Sequence, residues 1–175
     1  MALRGDRFDG HQFVSTVVQA GAVAVCVDQA YAKTASDLGV PMLVVEDTLR
    51  ALGDIARGIR LGEQGPVVAV TGSNGKTTTK ELIAAALSPR GAVHKTQGNL
   101  NNLIGVPLTL VSRPEGTWAE VIEMGMNARH EIDRLTLIAV PDVGVITTVG
   151  PAHLEGLGTV DNVARAKAEL FEMLP

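Results

Sequence analysis

The stretch Pro66–Leu87, PVVAVTGSNGKTTTKELIAAAL, sets the strongest limit on what this chain folds into. It opens with an apolar run, PVVAVT, that shows no polar alternation. Such a run reads as a strand covered on both faces, the habit of a parallel sheet flanked by helices. The run gives way to Gly72-Ser73-Asn74-Gly75-Lys76-Thr77, which has little side chain to pack. A helical pattern follows over Thr77–Leu87, with Thr79, Leu82, Ile83, Ala86 and Leu87 expected to face the sheet. Strand, glycine loop, helix is the physical form of a phosphate loop. Glycines let backbone N–H groups approach phosphate oxygens, and the helix start adds free N–H groups and a positive dipole end. Lys76 is then placed to reach the β- and γ-phosphates, and the Thr77 hydroxyl to bind Mg²⁺. An ordinary glycine turn is the other reading of these residues. The general pattern G-x-x-x-x-G-K-[ST] asks for a glycine where this chain has Val70.

The flanking sequence supports an α/β fold. Before the loop, FVSTVVQAGA has Val14, Val17, Val18 and Gly21 at helical spacing, and AVAVCV is a short apolar strand. QAYAKTASDLG reads as a helix ending at Gly39, PMLVVE as a strand, and Leu49, Leu52, Ala56 and Ile59 trace one helix face. This order predicts a small α/β unit. The polar, glycine-rich RLGEQGP marks a boundary, giving an amino-terminal unit over 1–63 and a second over 64–175. In the second, TWAEVIEM and PDVGVITTV are further strands, and Arg129–Ile138 and Val160–Leu174 are helical. Glu120 lies inside a strand and reads as an edge or outward-facing group. At 46% hydrophobic the 175 residues bury a substantial core. A net charge of −4 gives no reason to expect a nucleic-acid or anionic-membrane surface, and no apolar run reaches membrane-spanning length. The single cysteine, Cys26, reads as a core residue and fits a reducing cytoplasm. Nothing in the sequence sets an oligomeric state.

TGSNGKTTT after an apolar strand resembles the ATP loop of the Mur ligase family, which lacks the earlier glycine. GNLNNLIGVPLTL, EMGMN, VGPAHLEGLGT and VARAKAELF resemble, in order, further motifs of that family. They point to the branch that joins D-alanyl-D-alanine to a UDP-N-acetylmuramoyl-tripeptide. The opening ALRGDRFDGHQFV is similar to a segment of the amino-terminal domain in the same branch. Two departures stand out. His130 occupies a position commonly held by glycine, and Thr147 and Thr148 stand where an asparagine is common. Members of the family usually begin some tens of residues earlier and continue further. The expectation is therefore part of a UDP-substrate-binding domain over 1–63 and part of an ATP-binding, P-loop-type parallel-sheet domain over 64–175.

The resemblance implies ATP and Mg²⁺ as cofactors and amide formation through an acyl phosphate. It assigns nucleotide contacts to Gly72, Ser73, Asn74, Gly75, Lys76, Thr77 and Thr78, with Asn101 and Asn102 lining the site. Asparagine is also a good turn former, so turn chemistry remains open for that pair. Glu123 follows a strand at its carboxyl end, where open α/β sheets bind ligands and a carboxylate suits Mg²⁺. Without the resemblance it also reads as a solvated loop residue. His153 lies in a similar place. By itself a loop histidine is as readily structural, and the resemblance makes it a ligand or orienter at a second metal. Lys167 falls in the apolar stripe Val160, Val163, Leu170, Phe171 and Leu174, where an ammonium either snorkels to water or loses its charge. The resemblance implies a carbamylated Lys167 that holds Mg²⁺ beside His153. Lys76, Glu123, His153 and Lys167 are thus the expected catalytic set. His11, His94 and His130 have weaker cases, Arg129 and Arg134 read as solvated helix charges, and Met124 and Met126 as packing. Two other functions fit parts of the pattern: a nucleotide-binding module that makes no peptide bond by itself, and a folylpolyglutamate-synthetase-type ligase. The Asn-Asn loop and AHLEG argue against the latter.

Overall fold

A computed structural model describes residues 1–5, 8–152 and 154–174 of the chain, without the side chains of Leu154 and Glu155. The chain forms two compact units, Met1–Leu52 and Gly53–Pro175. The division by packing falls upstream of the polar stretch that marks the boundary in the sequence.

In the first unit β1 (Arg4–Gly5) pairs antiparallel with β2 (Phe8–Asp9). A single 3₁₀ turn, Gly10–Phe13, leads into α1 (Val14–Gln19). The strands β3 (Val25–Asp28) and β4 (Met42–Val45) pair in parallel, Cys26 opposite Leu43. Ala2, Val14, Val25 and Val27 form the core, and Cys26 is buried as expected. The helix expected up to Gly39 is only one turn, α2 (Gln29–Ala32). Asp28 caps it by accepting from the Tyr31 N–H at 2.8 Å. The Thr34 hydroxyl then donates to the Tyr31 carbonyl at 3.1 Å, offering the backbone a turn in place of a further helical residue.

His11 is buried in this unit. Its Nε2 accepts from the Asp28 N–H at 3.1 Å, so Nδ1 carries the proton and donates to Asp9 Oδ1 at 2.6 Å. Arg4 pairs with both carboxylates, at 3.4 Å to Asp9 and 2.9 Å to Asp28. The hydrogen bonds from His11, its backbone N–H first, hold the Asp9 carboxyl below its usual value.

The helix α3 (Thr48–Gly62) contributes to both units. The second unit is built on β5 (Val67–Thr71), β6 (Val93–Lys95), β7 (Ala119–Glu123) and β8 (Val143–Ile146). These form an all-parallel sheet in the order β6-β7-β5-β8. Around it lie α4 (Lys76–Leu87), α5 (Gly105–Val111), α6 (Glu131–Ala139), α7 (Leu154–Leu157) and α8 (Val160–Glu172). The missing polar alternation in PVVAVT now has its cause. Val67 and Ala69 pack with Ile122, Leu135, Ile138 and Leu170 on one face, while Val68 and Val70 pack with Val121 and Ala84 on the other.

Two expected helix faces are corrected. On α4, Leu82 is 66% exposed and Ala86 also faces out. The buried positions are Lys80 and Ala84, with Ile83 and Leu87 packed beside them. A periodicity reading passes over Lys80 because it is charged, yet its ammonium finds partners inside. On α8, Val160 and Phe171 are exposed, and the buried positions are Val163, Ala166, Lys167, Glu169 and Leu170.

Glu120 is also corrected: it is fully enclosed, because β7 is an interior strand and not an edge. Its Oε1 lies 3.3 Å from Arg113 Nε. Arg113 also pairs with the Glu63 carboxylate and donates to the Gln64 carbonyl at 2.9 Å and the Thr117 carbonyl at 2.6 Å. Burial pushes the Glu120 carboxyl up, against the lowering by the Arg113 charge. Arg113→Met therefore leaves a buried carboxylate without its cation. The expected loss of stability is about 3–5 kcal/mol at neutral pH. A group whose folded pKa is raised favours the fold below its unfolded pKa and loses that contribution as pH rises through the folded value. The R113M deficit is thus smallest in acid and widens with rising pH. Urea unfolding across that range measures it, and a pH-independent deficit would contradict the assignment.

Candidate functional site at the carboxyl ends of the central strands

The loop Gly72–Gly75 leaves the carboxyl end of β5 and turns directly into α4. Gly72 has φ +151° and Gly75 φ +80°, both in the region that favours glycine. At Gly72 a Cβ would come within 1.9 Å of Thr147 Oγ1, so no side chain fits. The loop is pinned from the segment after β8. Ser73 N–H donates to the Thr148 carbonyl at 2.9 Å, and the Ser73 hydroxyl shares a 3.0 Å contact with Gly150. Thr147 Oγ1 donates to the Asn74 carbonyl at 2.6 Å, and Asn74 N–H donates to Thr148 Oγ1 at 3.0 Å. The two threonines that depart from the family pattern thus hold the loop. The N-cap of α4 is Gly75, which has no side chain to cap the first amides, an arrangement that suits an anion. Lys76 Nζ folds back to the Gly72 carbonyl at 2.8 Å, and Thr78 is exposed on the first turn.

Beside the loop stands Glu123, the last residue of β7, only 3% exposed. Thr77 Oγ1 donates to Oε2 at 3.0 Å, and Asn101 Nδ2 donates to Oε1 at 3.0 Å. Its N–H donates to Thr96 Oγ1 at 2.9 Å. Lys80 Nζ lies 3.8 Å from Oε2 and donates to the Thr96 carbonyl at 2.8 Å. Asn101 also approaches Gly125, where a Cβ would meet its Oδ1 at 2.9 Å. Asn102 does something else. Its Oδ1 accepts from Ile104 N–H at 3.1 Å and Gly105 N–H at 2.8 Å, closing the turn that starts α5. Of the asparagine pair, one reaches the carboxylate and the other shapes the loop.

Lys167 is 1% exposed on α8. Burial first, and then the Lys76 charge, lower its pKa to about 8. The snorkelling alternative therefore does not hold. His153 lies outside the described residues. Among the described residues no group of His, Cys, Asp and Glu side chains gathers to hold a metal. Thr77 and Glu123 nonetheless set oxygen donors side by side, a fit for one hard cation.

The description "Mur ligase middle domain" matches residues 70–175, more than half of the chain. The chain belongs to the Mur ligase family. It is 47% identical over 173 residues to the UDP-N-acetylmuramoyl-tripeptide–D-alanyl-D-alanine ligase of Bacillus subtilis, covering 98% of this chain and 37% of that protein. Against the enzyme of the same name from Synechocystis it is 48% identical over 178 residues, covering 100% of this chain and 38% of the relative. Among solved structures, MurF from Acinetobacter baumannii superposes with a TM-score of 0.91 at 39% identity, covering 99% of this chain and 38% of that one. MurF ligase from Thermotoga maritima, solved in complex with ADP, gives 0.90 at 36% identity, with 99% and 39% covered. The chain thus spans well under half the length of these relatives.

Within this Mur ligase segment, sequence reasoning missed Lys80, Thr96 and Glu169. Glu169 reaches from α8 to the start of α6, accepting from His130 N–H at 2.9 Å and Asp133 N–H at 3.2 Å. It supplies the cap that His130 does not, its own side chain making no capping bond. His130 has φ +66°, which explains why glycine suits that position in the family. No spacing rule finds Glu169, since its partners lie on another helix. Lys80 had one local signal, a lysine in the buried stripe of α4. Arg134, read as a solvated charge, pairs with Asp54 at 2.6 Å. Met124 and Met126 are packed in the core, as expected.

Proposed function

We infer that this chain carries the ATP-binding part of a ligase that joins D-alanyl-D-alanine to UDP-N-acetylmuramoyl-tripeptide in peptidoglycan precursor synthesis. The observation that carries this reading is the buried Glu123, hydrogen-bonded to Thr77 and Asn101 beside the open start of α4. Such a place suits a triphosphate and one divalent cation. The likeness to a ligase solved with ADP supports the nucleotide. The names of the curated relatives support the two substrates over a pterin.

In this reading residues 64–175 bind ATP and residues 1–63 belong to the part that binds the UDP substrate. Gly72, Ser73, Asn74, Gly75 and Thr78 line the phosphates, with Asn102 setting the loop from which Asn101 reaches inward. Lys76 swings from the Gly72 carbonyl to the γ-phosphate, where negative charge spreads during transfer to the substrate carboxylate. Thr77 and Glu123 would hold Mg²⁺, which would supply positive charge to offset that of the phosphates. The resulting acyl phosphate is open to the dipeptide amine. Lys167 and His153 would hold a second metal once Lys167 is carbamylated: its neutral amine, which burial favours, adds to CO₂ and releases a proton, leaving an anionic carbamate. The free, buried Cys26 supports a reducing cytoplasm as the compartment.

The test supplies the remaining length of a relative as a separate polypeptide. With ATP, Mg²⁺, UDP-N-acetylmuramoyl-tripeptide and D-alanyl-D-alanine, the chain alone is expected to release no phosphate above background. The mixture is expected to release phosphate in step with peptide product. Release that depends on a pterin substrate instead would overturn the substrate assignment, and ATP binding without product in the mixture would favour a non-catalytic nucleotide module.

A further inference from the structure

Two lysines are among the largest fully enclosed side chains, and the proposed chemistry uses only Lys167. The other, Lys80, sits on α4 one turn behind Lys76 and on the same side as Thr77. Its ammonium has three partners: the Thr96 carbonyl at 2.8 Å, Glu81 at 3.3 Å and Glu123 at 3.8 Å. Glu81 is partly exposed and also pairs with Lys95. Those contacts, the one with Lys95 foremost, hold the Glu81 carboxyl below its usual value. The lysines Lys80 and Lys95 therefore balance the carboxylates Glu81 and Glu123, and the network is neutral as a whole. Lys76 is bonded to the Gly72 carbonyl at 2.8 Å, outside these ion pairs.

A buried carboxylate without a counter-charge is strongly disfavoured, and it attracts any cation that reaches it. Glu123 meets neither condition, because Lys80 already balances it. A divalent cation arriving alone finds oxygen donors but no net negative charge. We propose that Lys80 is a positioning residue that holds the Glu123 carboxylate in its inward-facing place and makes Mg²⁺ binding there depend on the nucleotide. The phosphates bring the negative charge that the protein side withholds. This rests on the reading of Thr77 and Glu123 as the Mg²⁺ donors, and it adds an order of events: the cation enters with the triphosphate and not before it.

The test needs no turnover. Thermal unfolding and calorimetric titration of the full 175-residue chain are followed with MgCl₂ alone, without nucleotide. The parent chain and Lys80→Arg are expected to show no stabilisation at millimolar Mg²⁺. Lys80→Met is expected to unfold at lower temperature and to recover part of the loss as MgCl₂ is added, with Mg²⁺ affinity at least about tenfold above the parent. Lys80→Met combined with Glu123→Gln removes the orphaned charge, and its Mg²⁺ response is expected to vanish. If K80M alone does not fold, recovery of folding in the K80M/E123Q double variant supports the proposal, and failure of both overturns it. A folded K80M that responds to MgCl₂ as the parent does overturns it, as does a response that persists in the double variant. ATP binding by the parent chain is measured beside these. Its loss would count against the nucleotide reading, whereas an Mg²⁺ response in the parent without nucleotide would count against the role of Lys80.

Discussion

Lys76→Ala is expected to weaken Mg-ATP binding by roughly 10- to 100-fold, the range set by losing a charge-assisted hydrogen bond to phosphate. The fold should be almost unaffected. Lys76 is half-buried, and the bond its ammonium makes is with the Gly72 carbonyl, at 2.8 Å within its own loop. Loop shape rests on other contacts, those of Ser73 and Asn74 with Thr147, Thr148 and Gly150. Calorimetric titration with Mg-ATP and a thermal melt of the same sample separate the two effects. Unchanged affinity would remove the phosphate-loop assignment. A large drop in melting temperature would show that Lys76 is structural. The variant has a second consequence, since the Lys76 charge helps lower the pKa of Lys167. In K76A that pKa is expected to move back up.

Lys167→Ala in a full-length ligase carrying this segment is expected to cost about 100-fold or more in activity, the scale on which loss of a metal-supported charge acts. Acetate or another short carboxylic acid is expected to restore part of it, by standing where the carbamate would. Full activity without additive would rule the role out. A stability measurement on the present chain tests the premise separately. The folded pKa of Lys167 is about 8, below the usual lysine value of about 10.4. Between those values the unfolded chain binds a proton that the folded chain does not, so stability rises with pH across that window. Below about pH 8 the buried lysine is charged in the fold as well, and its contribution stays at the lower level. Lys167→Met removes the titrating group. Its stability is expected to be higher than the parent's at neutral pH and flat across the window. A parent chain whose stability does not rise between pH 8 and 10 would show that Lys167 reaches water.

What was legible in the sequence depended on whether the signal was local. The strand PVVAVT, the glycine loop and the start of α4 are contiguous, and their physics is contained in neighbouring residues: burial on both faces, backbone that needs glycine, and amides with no partner in the helix. The same holds for Glu123 and Asn101, each placed by a strand end or a turn. The one-turn α2 was not legible, because Thr34 stops it with a hydroxyl that an amphipathic pattern does not weigh. Glu120 was misjudged because a strand's rank in a sheet is set by which strands pair with it, and order β6-β7-β5-β8 puts β7 inside.

By itself, then, the sequence determined the parallel α/β class, the strand–glycine loop–helix unit and the family. Tertiary structure alone decided which charges are buried and what balances them. Lys80, Glu120, Glu123 and Glu169 are enclosed with partners from another element, whereas Lys167 is enclosed where burial and the like charge of Lys76 lower its pKa. The reason is the cost of desolvating a charge. A periodic pattern treats a lysine or glutamate as a surface residue, and only the folded chain supplies the opposite charge or backbone dipole that lets it sit inside.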